Sequence, residues 1–177
     1  MIIEGDKIFL RRITEQDITP EYVAWLNDPD VTRGLETVAQ PYTEEMLRQY
    51  IHEVVGNENT WMFVVADKKS GKSIGTAKVH NINKKNGTCN LGLMLGDKNY
   101  WGKGFGQDAY NTAIDFAFKT LGIRKIWEMA NATNAASLSM CKKAGFQVEG
   151  QLKEHTFSEG KYIDKILLGL FARDWKK

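Results

Sequence analysis

Residues 100–110 read YWGKGFGQDAY, with glycine at every second position (Gly102, Gly104, Gly106) before a helical pattern begins. A loop this rich in glycine lets a backbone come close to another body. One reading is a dinucleotide fingerprint, Gly104-x-Gly106-x-x-Ala109, with Glu128 near the spacing of a ribose-binding acid. In such a unit the strand runs almost directly into the first glycine, whereas here Asp97-Lys98-Asn99-Tyr100-Trp101 intervenes. The 46 residues after Asn131 are also too few for the further parallel strands required. A nucleotide P-loop fails because Gly102-Lys103 is followed by Gly104 rather than Ser or Thr. Two readings remain. The glycines form a tight turn that caps a helix, or they cradle a pyrophosphate on backbone N–H groups at the helix start, where Lys103 adds a charge that a mere turn does not need.

Working outward, TCNLGLML (88–95) reads as the strand before the loop, and QDAYNTAIDFAFKTLG as the helix after it, stopping at Gly122. IRKIWEMA is a strand, NAASLSMCKKAG a short helix ending on Gly145, and FQVEGQLKEHTF with YIDKILLGLF a closing strand pair. Upstream, residues 2–12 read as a first strand and TEQDITPEYVAWLND as a helix with Pro20 near its start. Thr43-Glu44-Glu45 announces a helix running to about Val55. WMFVVAD and SIGTAKVHNI are strands joined by the turn KKSGK. The order is an antiparallel meander, a β–α–β–α core and a hairpin. No linker or repeat interrupts it, so residues 1–177 read as one α+β domain.

Composition narrows the function. A length of 177 residues favours a single full core. A net charge of +2, without a basic stripe, argues against nucleic acid and membrane surfaces as partners. No run approaches the roughly 18 apolar residues of a membrane helix, and the N-terminus lacks a signal-peptide pattern. Cys89 and Cys141 are far apart, and His52, His80 and His155 show no metal-ligand spacing with them. The expectation is a cytoplasmic protein that holds no metal.

The succession LGLML, YWGKGFGQDA, amphipathic helix, strand ending in NATNAAS, then CKKAGFQVEG resembles the GNAT superfamily of acetyl-CoA-dependent N-acetyltransferases. It looks most like the branch of ribosomal-protein N-terminal, polyamine and amino-sugar acetylases. The likeness runs from FLRRITEQDI through EYVAWLNDPDVTR to GKYIDKILLGL. It implies a mixed, mostly antiparallel twisted sheet with flanking helices and a central β–α–β cofactor site. Within the family loop Trp101 sits where Gln or Arg is usual, Gly104 and Gly106 match, and Trp-Gly-Lys-Gly is common in this branch. By resemblance, Trp101, Gly102, Lys103, Gly104, Phe105 and Gly106 hold the pyrophosphate of coenzyme A.

Acetyl transfer to an amine needs a free amine, a polarised thioester carbonyl and a proton for the departing thiolate; a primary ammonium titrates near about 10. The resemblance implies that the strand splays at Leu93-Met94-Leu95, pairs with the pantetheine arm and polarises the acetyl carbonyl through an N–H near Met94. Asn134 and Ser137 read from the residues alone as a helix cap; the resemblance adds a bond from Asn134 to the pantetheine and puts Ser137 near the sulfur. Where many relatives carry a tyrosine as thiolate acid, Cys141 stands here, so Cys141 or Ser137 is the candidate donor, with a buried, inert Cys141 the alternative. The branch often has an acid where this chain has Asn90. His80, Glu128 and His155 are left as candidate bases, with His80 favoured for its neutral form at pH 7 and a water chain as the alternative.

The acceptor wall is expected from WLNDPDVTRGLE, which offers Trp25, Asn27, Arg33 and Glu36, and from Tyr162. These segments resemble acetylases of nucleotide-linked amino sugars; protein N-terminal amines and polyamines follow, with a non-catalytic acyl-CoA-binding module as the rival. A monomer or homodimer is expected.

Overall fold

The structure is a computed structural model that describes residues 1–35, 41–158 and 160–176. In chain order it comprises β1 (Ile2–Glu4), β2 (Ile8–Arg12), α1 (Pro20–Leu26), α2 (Pro29–Thr32), α3 (Glu44–Gly56), β3 (Trp61–Asp67), β4 (Ser73–Asn83), β5 (Thr88–Leu95), α4 (Phe105–Asp115), β6 (Lys125–Asn131), α5 (Ala135–Lys143), β7 (Gln147–Ser158) and β8 (Lys161–Phe171). The strands form one eight-stranded sheet in the order β1-β2-β3-β4-β5-β6-β8-β7. Every pairing is antiparallel except β5 with β6.

The single strand expected over residues 2–12 is a hairpin instead. Asp108, in the first turn of α4, accepts the N–H groups of Asp6 (3.1 Å), Lys7 (2.7 Å) and Ile8 (3.1 Å), which turns the chain and ties it to the helix. A Cβ at Gly5 would lie 2.7 Å from both Asp108 Oδ2 and Thr112 Oγ1, so the turn requires glycine there. A local pattern over residues 2–12 cannot register a clamp 100 residues away.

Helix α3 shows why the sequence rules worked where they did. Thr43 accepts the Met46 N–H, Glu44 and Glu45 complement the positive end, and Leu47, Ile51 and Val54 form one buried stripe. On β3, Phe63 and Val65 join the core under α4, while Met62 and Val64 join the core under α1 and α3. Both faces of the sheet are covered, hence the unbroken apolar run.

The parallel pair matters most. β5 and β6 are in register only at Thr88–Lys125 and Cys89–Ile126. Beyond that point β5 stays paired with β4 as far as Gly75–Leu95, and β6 stays paired with β8 as far as Asn131–Lys165. Each strand keeps its outer neighbour, so the sheet holds a wedge-shaped gap open.

Candidate active site

One edge of the gap is the free side of β5. Leu91 N–H points away from β4 and donates to Glu128 Oε1 at 2.6 Å. Alternation along the strand turns the N–H and C=O groups of Leu93 and Leu95 the same way, while Met94 faces β4 opposite Thr76. The expectation of an N–H near Met94 therefore sharpens to those of Leu93 and Leu95. Leu95 C=O accepts Trp101 Nε1 at 2.7 Å, which lays the indole at the mouth of the gap.

The glycine loop stands at this mouth. Gly102 (φ 70°) and Gly104 (φ 85°) adopt left-handed backbone, and Gly104 caps α4 without a side chain. Among the described residues, the N–H groups of Gly102, Lys103 and Gly104 have no partner in the fold. Phe105 packs edge-on against Tyr100, with ring centroids 4.8 Å apart. Gly106 lies in the first turn, facing Leu93 and Leu95. The sequence reading missed Lys7. Its Nζ donates to Lys103 C=O at 2.7 Å and lies 5.5 Å from the Phe105 ring centroid, so the β1–β2 turn brings a second cation to the loop.

Helix α5 closes the far side. Asn134 caps it by accepting the Ser137 N–H at 3.0 Å. Ser137 is partly exposed, whereas Cys141 is 2% exposed with its Sγ 3.5 Å from Tyr110 Oη. Burial pushes the Cys141 thiol up, against hydrogen bonds from Tyr110 and Ser137. The geometry is that of a core cysteine beneath Ser137 rather than a thiol open to the gap.

On the other face of the sheet the gap meets a cavity of about 570 Å³. Its walls are Tyr22, Leu26, Gly34, Leu35, Tyr42 and Tyr50, with Met62 and Thr76. Its floor is Lys78, His80 and Asn81 on β4, residues 90–94 of β5, and Trp127, Glu128 and Met129 of β6. Burial pushes the Glu128 carboxyl up to about 8, although the Leu91 N–H favours its ionised form. The residue is half-buried and lies at alternate positions of β6 with Ile126 and Ala130, which join the core under α4, and its carboxyl is enclosed by protein. Burial, and then the Lys78 charge, hold His80 down at about 4. His80 is therefore neutral at pH 7 but a feeble base. Asn90 is a strut: it accepts from Asn81 Nδ2 at 3.0 Å and donates to Trp127 C=O at 2.5 Å, tying β4, β5 and β6 together beside Glu128.

Those of the expected acceptor residues that are described sit elsewhere. Trp25 lies flat on Gly96, where a Cβ would be 2.1 Å from its ring, and braces Tyr22. Asn27 spends its amide on Val23 C=O and on both backbone groups of Tyr42, so it acts only by holding Tyr42 in the wall. The Arg33 side chain is 75% exposed and pairs with Asp30. Tyr162 is 67% exposed on the β7–β8 hairpin, against Phe157. His155 is exposed on β7, and Glu36 lies outside the described residues. Residue type alone does not say where a side chain points. Among the described residues, no group of three His, Cys, Asp or Glu could hold a metal, and no helix is long and apolar enough to cross a membrane.

An acetyltransferase (GNAT) domain model matches residues 7–147. The chain is 27% identical over 176 residues to the uncharacterized N-acetyltransferase p20 of Bacillus licheniformis, covering 96% of each. It superposes on the spermidine N-acetyltransferase of Vibrio cholerae, solved with CoA and spermine, at a TM-score of 0.85 and 22% identity over 96% of this chain and 98% of that one. Against the ribosomal-protein-S5-alanine acetyltransferase of Vibrio fischeri the TM-score is 0.80, with 27% identity over the whole of both chains. With its gap, glycine loop and matched family model, the chain belongs to the GNAT acetyltransferase family and is an acetyl-CoA-dependent N-acetyltransferase.

Proposed function

We propose that residues 1–177 act as one domain that transfers the acetyl group of acetyl-CoA to the primary amine of a small molecule or peptide, with Glu128 as general base. The observation that carries this reading is the one-sided divergence of β5 from β6, with a raised-pKa carboxyl at its floor and the glycine loop at its mouth. The pyrophosphate would rest on the free N–H groups of residues 102–104, at the positive end of α4, with Lys103 and Lys7 as counter-charges. The pantetheine would pair with the open edge of β5 and extend past Asn134. The acetyl carbonyl would accept from the Leu93 or Leu95 N–H, which stabilises the oxyanion as it forms.

The free amine attacks the thioester carbon as Glu128 takes the proton its nitrogen sheds, the C–S bond breaks, and the coenzyme thiolate takes up one proton, so that none is gained or lost once Glu128 releases its own. Ser137, the partly exposed hydroxyl on α5, is the side chain suited to relay it. His80, expected as the base, serves better as a neutral polar wall. A nucleotide-linked amino sugar would need a cation and a stacking surface, and the residues expected to provide them, Trp25, Arg33 and Tyr162, are not in the cavity. That narrower acceptor loses the support those three residues gave it. The spermidine and S5-alanine acetyltransferases argue for a compact primary amine in general.

The test is thiol release from acetyl-CoA across amino acids, small peptides, amino sugars and polyamines. At least one amine should be turned over and recovered acetylated. Tight acetyl-CoA binding with no amine acetylated would make the chain a binding module instead.

A further inference from the structure

The cavity contains a cation, Lys78, with no counter-charge among the described residues. Lys78 sits on β4 opposite Gly92, where an added Cβ would be in ordinary van der Waals contact with the lysine stem, 3.7 Å from Lys78 Cβ and 3.8 Å from Cε. The ammonium donates to Tyr50 Oη at 3.1 Å and lies 5.6 Å from the centre of that ring. Among the described residues, no carboxylate comes within ion-pair distance of it. The other charged group that the described residues bring to the cavity lining is Glu128, which belongs to the base position. Two of the three ammonium protons are unspent, and the Tyr50 hydroxyl, having accepted one, can donate onward.

A partly buried cation without a partner is costly. Here it also faces a chamber that must admit an amine. An acceptor carrying a second ammonium, as spermidine does, would bring like charge to Lys78. An acceptor carrying its own anion would bring the missing partner and leave its amine for Glu128. We propose that Lys78 and Tyr50 form an acceptor subsite for a carboxylate or phosphate, so that the amine this enzyme acetylates belongs to a molecule bearing its own negative charge. This rests on the reading of the cavity as the acceptor chamber.

The experiment uses matched pairs that differ in the anion: glycylglycine against glycylglycine amide, and glucosamine 6-phosphate against glucosamine, with spermidine as the cationic comparison. The wild type should prefer the anionic member of at least one pair by about 10- to 100-fold in kcat/KM, as expected for one charge-assisted hydrogen bond. The responding pair distinguishes carboxylate from phosphate. Lys78→Met should erase the preference through KM, with kcat and CoA affinity little changed, and Lys78→Arg should keep it. A wild type that favours the neutral member or spermidine overturns the proposal, as does a Lys78→Met variant that binds CoA normally and keeps the wild-type ratio. Calorimetric titration of the same pairs into the CoA complex reads the subsite even without turnover. Failure of acetyl transfer itself, seen as absent thiol release with every amine, is thereby separated from failure of the subsite.

Discussion

Glu128→Gln removes the proposed base and leaves its scaffold in place, because a glutamine carbonyl still accepts the Leu91 N–H. A positioned general base contributes about 10²- to 10⁴-fold. With a pKa of about 8, Glu128 is ionised in about a tenth of molecules at pH 7 and about nine-tenths at pH 9. The ratio of wild-type to variant kcat/KM should therefore rise about tenfold over that interval and then level off. Titration of the acceptor amine itself adds the same slope to both enzymes, so the ratio isolates Glu128. The assay is thiol release under steady-state conditions from pH 6 to 10. Stability provides an independent readout. The folded carboxyl titrates near 8 and a free one near 4.5, so its favourable contribution is complete at low pH and is lost as pH rises from about 4.5 to 8. The variant should then gain on the wild type in Tm across that window. A flat activity ratio, or a variant within about threefold of wild type at pH 9, would remove Glu128 from proton transfer and return the role to water.

Two further substitutions probe the coenzyme side. Gly104→Val puts a β-branched residue at a φ of 85°, with its Cβ 3.3 Å from Lys7 Nζ, so acetyl-CoA affinity should fall at least about tenfold in a folded protein; unchanged calorimetric affinity would mean the cradle is elsewhere. Ser137→Ala should lower kcat with little change in coenzyme affinity, whereas Cys141→Ala should lower Tm with turnover retained, since Cys141 is buried in the core. The opposite pattern would restore Cys141 as the proton donor.

The fold was legible wherever local chemistry and tertiary need agree. WMFVVAD and TCNLGLML are strands over the residues their sequence suggested, and Asn134 and Gly145 bracket α5 as cap and stop. The β1–β2 hairpin was not legible, because its short turn, closed by the Gly5 N–H to Ile8 C=O bond, is held in place by Asp108 from α4. The cavity wall carried an unread signal. Thr76, Lys78 and His80 occupy alternate positions of β4, whose other face buries Ala77 and Val79. Polar residues at every second position of a strand covered on both faces mark a chamber.

The proposed base, Glu128, was hidden for a different reason. Asn90 reads as a missing acid only if the acid must come from β5. The parallel register aligns Cys89 with Ile126, so two residues further on Leu91 meets Glu128. A slip of one residue would turn Glu128 to the opposite face of the sheet, because side chains alternate along a strand. Nothing local to KIWEMAN chooses between those registers. The choice is made by the Leu91 bond to Glu128 and by Asn90 binding Trp127 C=O, contacts between segments 37 residues apart. An aspartate at position 90 would have no hydrogen to give that carbonyl and would set a second negative charge beside Glu128. The amide at Asn90 is therefore what the proposed role of Glu128 on the neighbouring strand requires.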